Sequence, residues 1–240
     1  MKYMKAFTPP HKYELRRNGV SDANTVKLAE DTLVVYRSLY QGMAPIGEWI
    51  QTRVACLIRE WLPEEWITSH GQIADVDTPE IQSRSWDIIV HRPIPKSRGY
   101  PPPASSNGPY PLVPKDLCCA VVDTKGRYNT PKKYAEAKAF NPPNNCNTKQ
   151  LDFLGQNILP VLFIMATSRS PDRVEAEGEA NGISTFVLAK AIDRKTSDWT
   201  NTVFWHLNQG MDGILPLSRF RETLRWAANQ WTIRNSIQSC

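Results

Sequence analysis

Cys118-Cys119-Ala120-Val121-Val122-Asp123-Thr124-Lys125 is an apolar run that ends in charge. Small and β-branched residues in unbroken succession read as a strand buried on both faces. The charged end marks where such a strand leaves the core. Residues 126–129 then turn the chain. Thr130 is a good helix N-cap and Pro131 suits the first helical position, which predicts a helix from 131 to about 140. The odd residue in this unit is Asp123, an acid where an apolar side chain is the default.

A second strand of the same kind lies upstream. Residues 85–91 read Ser-Trp-Asp-Ile-Ile-Val-His, with Asp87 set against another β-branched run. A shorter strand is expected at 66–71. Helices are expected at 22–40, from Leu28, Leu33, Val34 and Leu39, and at 47–62, where Ile50, Val54, Leu57, Ile58 and Trp61 share one face before Pro63. Prolines 93, 95, 101, 102, 103, 109, 111 and 114 make 93–114 a proline-rich loop that cannot enter a sheet centre. Downstream, 141–147 is a break and 151–158 is expected to be helical. Strands are expected at 160–167, 183–191 and 202–207, with an acidic, polar loop at 172–182. A closing helix at 220–231 carries Phe220, Leu224, Trp226 or Ala227, and Trp231 on its apolar side. The fold class is α/β, a mixed central β-sheet flanked by helices. The chain reads as one domain over 1–240: an N-terminal extension to 43, a core over 44–168, and C-terminal strands and helix over 169–240.

Composition narrows the class only a little. The 240 residues are 41% hydrophobic and 22% charged, an ordinary globular balance. A net charge of +5 permits a polyanionic partner without demanding one. No apolar run is long enough to span a bilayer, and the first ten residues hold no apolar core of a secretory signal. Five cysteines without a C-x-x-C pair argue against a zinc site or a disulfide framework. A reducing cytoplasm is the expected setting.

The two acids carry the chemistry. An ionised carboxylate at a core edge is costly unless something positive compensates it. Two such carboxylates close together repel, and a divalent cation resolves that. Residues two apart on a strand share a face, so Lys125 belongs beside Asp123, where it can pair with it or reach a phosphate. The bland alternative is that each Asp ends a strand in solvent and that Asp123 and Lys125 are a surface ion pair.

Asp87, followed 36 residues later by Asp123-Thr124-Lys125 and then a helix, resembles the PD-(D/E)XK nuclease signature. Upstream, Gly47-Glu48-Trp49-Ile50-Gln51, the Leu62-Pro63 helix end and Gly71-Gln72-Ile73 resemble the NucC-type effector nucleases of bacterial anti-phage defence. So does Val113-Pro114 ahead of Ala120-Val121-Val122-Asp123. The resemblance covers residues 44–140. It implies a restriction-endonuclease-like core and a Mg2+- or Mn2+-dependent endonuclease acting on DNA. It further implies a homo-oligomer, antiviral defence and a cyclic oligonucleotide activator. Asp87 and Asp123 are then the metal carboxylates, with the Thr124 carbonyl a third ligand and Lys125 acting on the nucleophilic water. The family's usual Glu is Asp123 here, one methylene shorter. Its helix acid is Gln51 here, with Glu48 and Glu60 the nearest acids.

Arg127, Lys132, Lys133 and Lys138 flank the motif and are candidates for DNA phosphates or for a solvated helix face. Tyr128 either packs on a sugar or closes the turn. His91 shares Asp87's strand face and could edge the site; His70 and His206 have no ligand spacing. The rival readings are a nuclease fold that binds nucleic acid or a protein partner without cutting, and an unrelated α/β protein.

Overall fold

The computed structural model describes residues 23–41, 46–79, 81–95, 112–140, 147–195, 201–210 and 214–238. Most of the proline-rich loop (96–111), the start of the N-terminal extension (1–22) and most of the expected break after 140 (141–146) lie outside them. In chain order the elements are α1 (Ala23–Gln41), α2 (Ile46–Trp61), β1 (Ile67–Ala74), β2 (Trp86–His91), β3 (Leu112–Pro114), β4 (Cys118–Arg127), α3 (Pro131–Phe140), α4 (Gln150–Leu154), β5 (Leu159–Thr167), α5 (Pro171–Ala180), β6 (Ser184–Lys195), β7 (Asn201–Leu207) and α6 (Pro216–Gln238).

The strands form one seven-stranded sheet in the order β3-β1-β2-β4-β5-β6-β7. Its centre, β4-β5-β6, is parallel, and β1-β2, β2-β4 and β6-β7 are antiparallel. The mixed α/β sheet read from the sequence is therefore present. The parallel steps follow from helices placed between strands, since a chain cannot return in parallel through a tight turn. Pro160 is tolerated in β5 because the ladder to β6 starts only at Val161.

Pleating divides the core. Ile88, Val90, Ala120 and Val122 point to the face covered by α1, α2 and α6. Ile89 and Val121 point to the other, where Phe153 and Leu154 of α4 pack. Further along that second face, Tyr134 of α3, Val174 of α5, Leu162 and Ile164 form a third cluster. The apolar stripe of α2 is buried as expected, at Ile50, Val54, Leu57 and Ile58.

The stretch 172–182, expected to be a loop, is instead largely helix α5. Ser170 sits at the N-cap position, Pro171 at the first helical position and Asp172 in the first turn, which is a helix start. The helix reads as polar because only Val174, Glu175 and Gly178 turn inward. Gly178 has a steric reason: a Cβ there would meet Thr185 Oγ1 at 1.9 Å and Thr185 Cβ at 2.6 Å, so the bare backbone lets α5 lie on β6. Helix α4 is shorter than expected and stops at Gly155, whose φ is +66°. Among the described residues no helix is long and apolar enough to cross a membrane.

Glu175 is the buried charge that ties α5 to the rest. Its Oε1 accepts the Val187 N–H at 2.9 Å and its Oε2 meets the Arg219 guanidinium of α6 at 2.5 Å. Burial pushes its carboxyl above the usual range, and Arg219 offsets part of this. Glu175→Ala leaves a guanidinium and an amide without their partner. Its unfolding free energy in urea should fall by about 3–5 kcal/mol.

Candidate active site

Strands β2 and β4 pair antiparallel with Ile88 opposite Val122 and Ile89 opposite Val121. One step further, aspartate side chains take over the pairing. The Asp87 N–H donates to Asp123 Oδ1 at 3.3 Å. The Thr124 N–H donates to Asp87 Oδ2 at 2.7 Å, and Thr124 Oγ1 donates to the same oxygen at 3.0 Å. Each carboxylate thus accepts a backbone N–H of the opposite strand. By alternation, Asp87 shares the face of Ile89 and Asp123 that of Val121, the same side of the sheet. The structure brings the two acids together across adjacent strands.

Helix α3 closes over that side. The Thr130 carbonyl accepts the Tyr134 N–H at 3.3 Å, the first helical bond, as a residue at the N-cap does. Tyr134 and Lys138 lie four apart and so on one face. The Tyr134 hydroxyl donates to Asp123 Oδ2. The Lys138 ammonium stands 3.1 Å from that same oxygen, with the two side chains 15% and 7% exposed. It also lies 3.9 Å from the centre of the Trp86 ring and 5.6 Å from that of Tyr134. Burial, and next the charge of Asp123, push the Tyr134 hydroxyl well up, so it remains a donor at neutral pH.

Lys125 keeps to the expected face, with its ammonium 5.8 Å from the Tyr134 ring. Among the described residues it makes no ion pair, so the cation on Asp123 comes from Lys138 instead. Lys138, expected from the sequence to meet a DNA phosphate or to lie on a solvated helix face, is instead paired with Asp123. The available signal was its four-residue spacing from Tyr134 on the helix that follows the motif.

From the opposite side, α2 reaches the site through Gln51. Its Nε2 donates to the Asp87 carbonyl at 2.5 Å and is 2.7 Å from His70 Nδ1, which is itself 3.2 Å from that carbonyl. His70, without ligand spacing in the sequence, therefore borders Asp87 in space. Glu48 and Glu60 are exposed. Glu60 lies nine residues beyond Gln51, which at about 100° per residue is the far side of the helix. Among the described residues no group of three or more His, Cys, Asp or Glu gathers as a metal site. Gly126, next to Lys125, lets Tyr36 of α1 approach: a Cβ would meet its hydroxyl at 3.1 Å.

The other candidates sit around this centre. Arg127 is the last residue of β4, across from Ala166. Lys132 and Lys133 are exposed on the first turn of α3, with the Lys132 ammonium 3.9 Å from Glu136. Tyr128 packs against the Tyr134 and Leu162 cluster. His91 is four residues and ~13 Å along the strand from Asp87. It is held by Ser69 Oγ at 2.9 Å and the Arg92 carbonyl at 2.7 Å, away from the acids. His206 is exposed on β7, across from Lys190.

The donor set suits a hard cation. Two carboxylates and a neighbouring carbonyl offer the oxygen ligands that Mg2+ or Mn2+ takes, and Mg2+ commonly uses only one or two carboxylates. Asp87 Oδ1 has no hydrogen-bond partner among the described residues and is free to ligate. Asp123 Oδ2 is shared by Tyr134 and Lys138, so an ion there meets a competing charge.

No family model matches the chain, and no curated protein matches it. Among solved structures, the cAAA-bound form of NucC from P. aeruginosa ATCC27853 aligns at 13% identity with a TM-score of 0.49, over 86% of this chain and 95% of that one. The cAAA-bound form of E. coli MS115-1 NucC aligns at 14% and 0.47, over 84% and 88%. Its apo form aligns at 13% and 0.41, over 85% and 90%. At these values no residue role, ligand or activity passes from those proteins to this chain.

Tyr134→Phe removes a donor from a buried carboxylate and should lower stability by about 1.5–3 kcal/mol, read by chemical denaturation. Burial lowers the His91 pKa below its ordinary 6.5. The folded chain resists a proton that the unfolded chain accepts. The contribution is present above that pH and is lost as pH falls below it. Between about pH 7.5 and 5.5, His91→Gln should therefore lose less stability than the parent.

Proposed function

We propose that this chain is a metal-dependent endodeoxyribonuclease. The observation that carries the reading is the Asp87–Asp123 pair, facing each other from adjacent strands with Lys125 on the same side. Asp87, Asp123 and the Thr124 carbonyl would hold Mg2+ or Mn2+. When bound, the ion lowers the pKa of a water and neutralises charge on the scissile phosphate. Lys125, unpaired among the described residues, is available to orient that water or contact the phosphate. Gln51 and His70 fix the backbone of Asp87. Arg127, Lys132 and Lys133 ring the motif with positive charge for flanking phosphates. The resemblance over 44–140 extends the proposal to a homo-oligomeric anti-phage effector gated by a cyclic oligonucleotide.

A second reading is a nuclease fold that binds nucleic acid or a protein partner without cutting. It is favoured by the partners both carboxylates already have, Thr124 for Asp87, and Tyr134 and Lys138 for Asp123.

Supercoiled plasmid incubated with Mg2+, with and without a panel of cyclic oligonucleotides, separates the two. The first reading expects nicking and linearisation that EDTA stops. It expects Asp87→Ala to be inactive and Lys125→Ala to be slower by ~10²-fold or more. Retarded plasmid that stays intact under every condition supports the second.

A further inference from the structure

Lys138 holds its ammonium against one of the two carboxylates that would ligate the ion. Building on the nuclease reading above, we propose that Lys138 is a resident counter-cation that competes with the metal for Asp123, so that helix α3 sets the metal affinity of the site.

Three observations carry this. The Lys138 ammonium is 3.1 Å from Asp123 Oδ2, and both side chains are largely buried. The ion pair is thus shielded from the solvent that makes surface pairs weak. The Trp86 ring, 3.9 Å from the ammonium, and the Tyr134 ring, at 5.6 Å, give the cation a further hold by cation–π attraction. The lysine stem is a flexible four-carbon chain, so the ammonium can leave the carboxylate without moving the helix. An ammonium and a divalent ion cannot both touch one carboxylate oxygen without like-charge repulsion. Occupation by one therefore weakens the other, and a polyanion that draws Lys138 away favours the metal. Lys125 differs: it lies on the same face but is not paired with Asp123.

Mn2+ titration by calorimetry tests this on the whole chain without substrate. Lys138→Met removes the charge and keeps the apolar stem. It should bind Mn2+ at least about tenfold more tightly than the parent. Lys138→Gln should fall in between, and Lys125→Met should gain less than Lys138→Met. Asp123→Asn should lose the site in both backgrounds. Unchanged or weaker binding by Lys138→Met, with binding still lost in Asp123→Asn, overturns the competition and leaves the nuclease reading standing. No saturable binding in the parent or any Lys138 variant overturns both. So does binding that survives Asp123→Asn. A measurement on the parent needs no variant to fold: saturating Mg2+ should speed labelling of Lys138 by an amine reagent, read by mass spectrometry. Equal labelling with and without Mg2+, in a chain that binds the ion, refutes the proposal.

Discussion

The β2–β4 ladder ends in a reciprocal exchange: each strand offers a backbone N–H and receives the other's carboxylate. Much of the site depends on it. Strands that part must satisfy the amides they expose, because an unpaired buried N–H costs about as much as a lost hydrogen bond. Asp87 satisfies Thr124, and Asp123 accepts from Asp87. The acids are thereby held in register with the sheet, and their spacing is that of two neighbouring strands rather than of two flexible side chains. The short Asp side chain suits this task, since its carboxylate stays close to the backbone it caps.

Charge at that point has to be balanced from the second layer. Asp123 lies inside the face covered by α3, where an uncompensated carboxylate would not be tolerated. On the sheet, Val121, Leu162 and Ile164 are apolar, and Lys125 makes no ion pair with the acid among the described residues. Helix α3 supplies the counter-charge through Tyr134 and Lys138. The helix is in turn fixed at its start, where the Lys132 N–H donates to Glu177 of α5 at 3.1 Å. α5 is anchored through Glu175 to α6 and β6, so the electrostatics of the site are linked to a packing contact on a different edge of the molecule.

This arrangement gives the site two lysines with different positions. Lys125 comes from the strand, two residues beyond the acid, and stands apart from it. Lys138 comes from the helix and sits on the acid. A single motif lysine could serve either as counter-ion or as a group open to a phosphate. With two, the positions are separated: the buried ammonium balances Asp123 and the strand ammonium stays uncommitted among the described residues.

What could be read from the chain alone was local. The apolar runs around Asp87 and Asp123 announced two strands with acids out of place, and Thr130-Pro131 announced the helix that follows. Hydrophobic period, caps and side-chain alternation act within a few residues, so they are written in the sequence. Helix α5 escaped because only Val174, Glu175 and Gly178 face inward, too few to stand out in a polar stretch, although Ser170-Pro171 marked its start. The surroundings of the acids were not legible. Gln51, His70, Trp86, Tyr134 and Lys138 converge on this site from α2, β1, β2 and α3, and which group each of them meets depends on how those elements pack. The periodicities of single elements carry no information about the distance between elements. Only the close packing of helices onto the sheet brought Lys138, rather than Lys125, to Asp123.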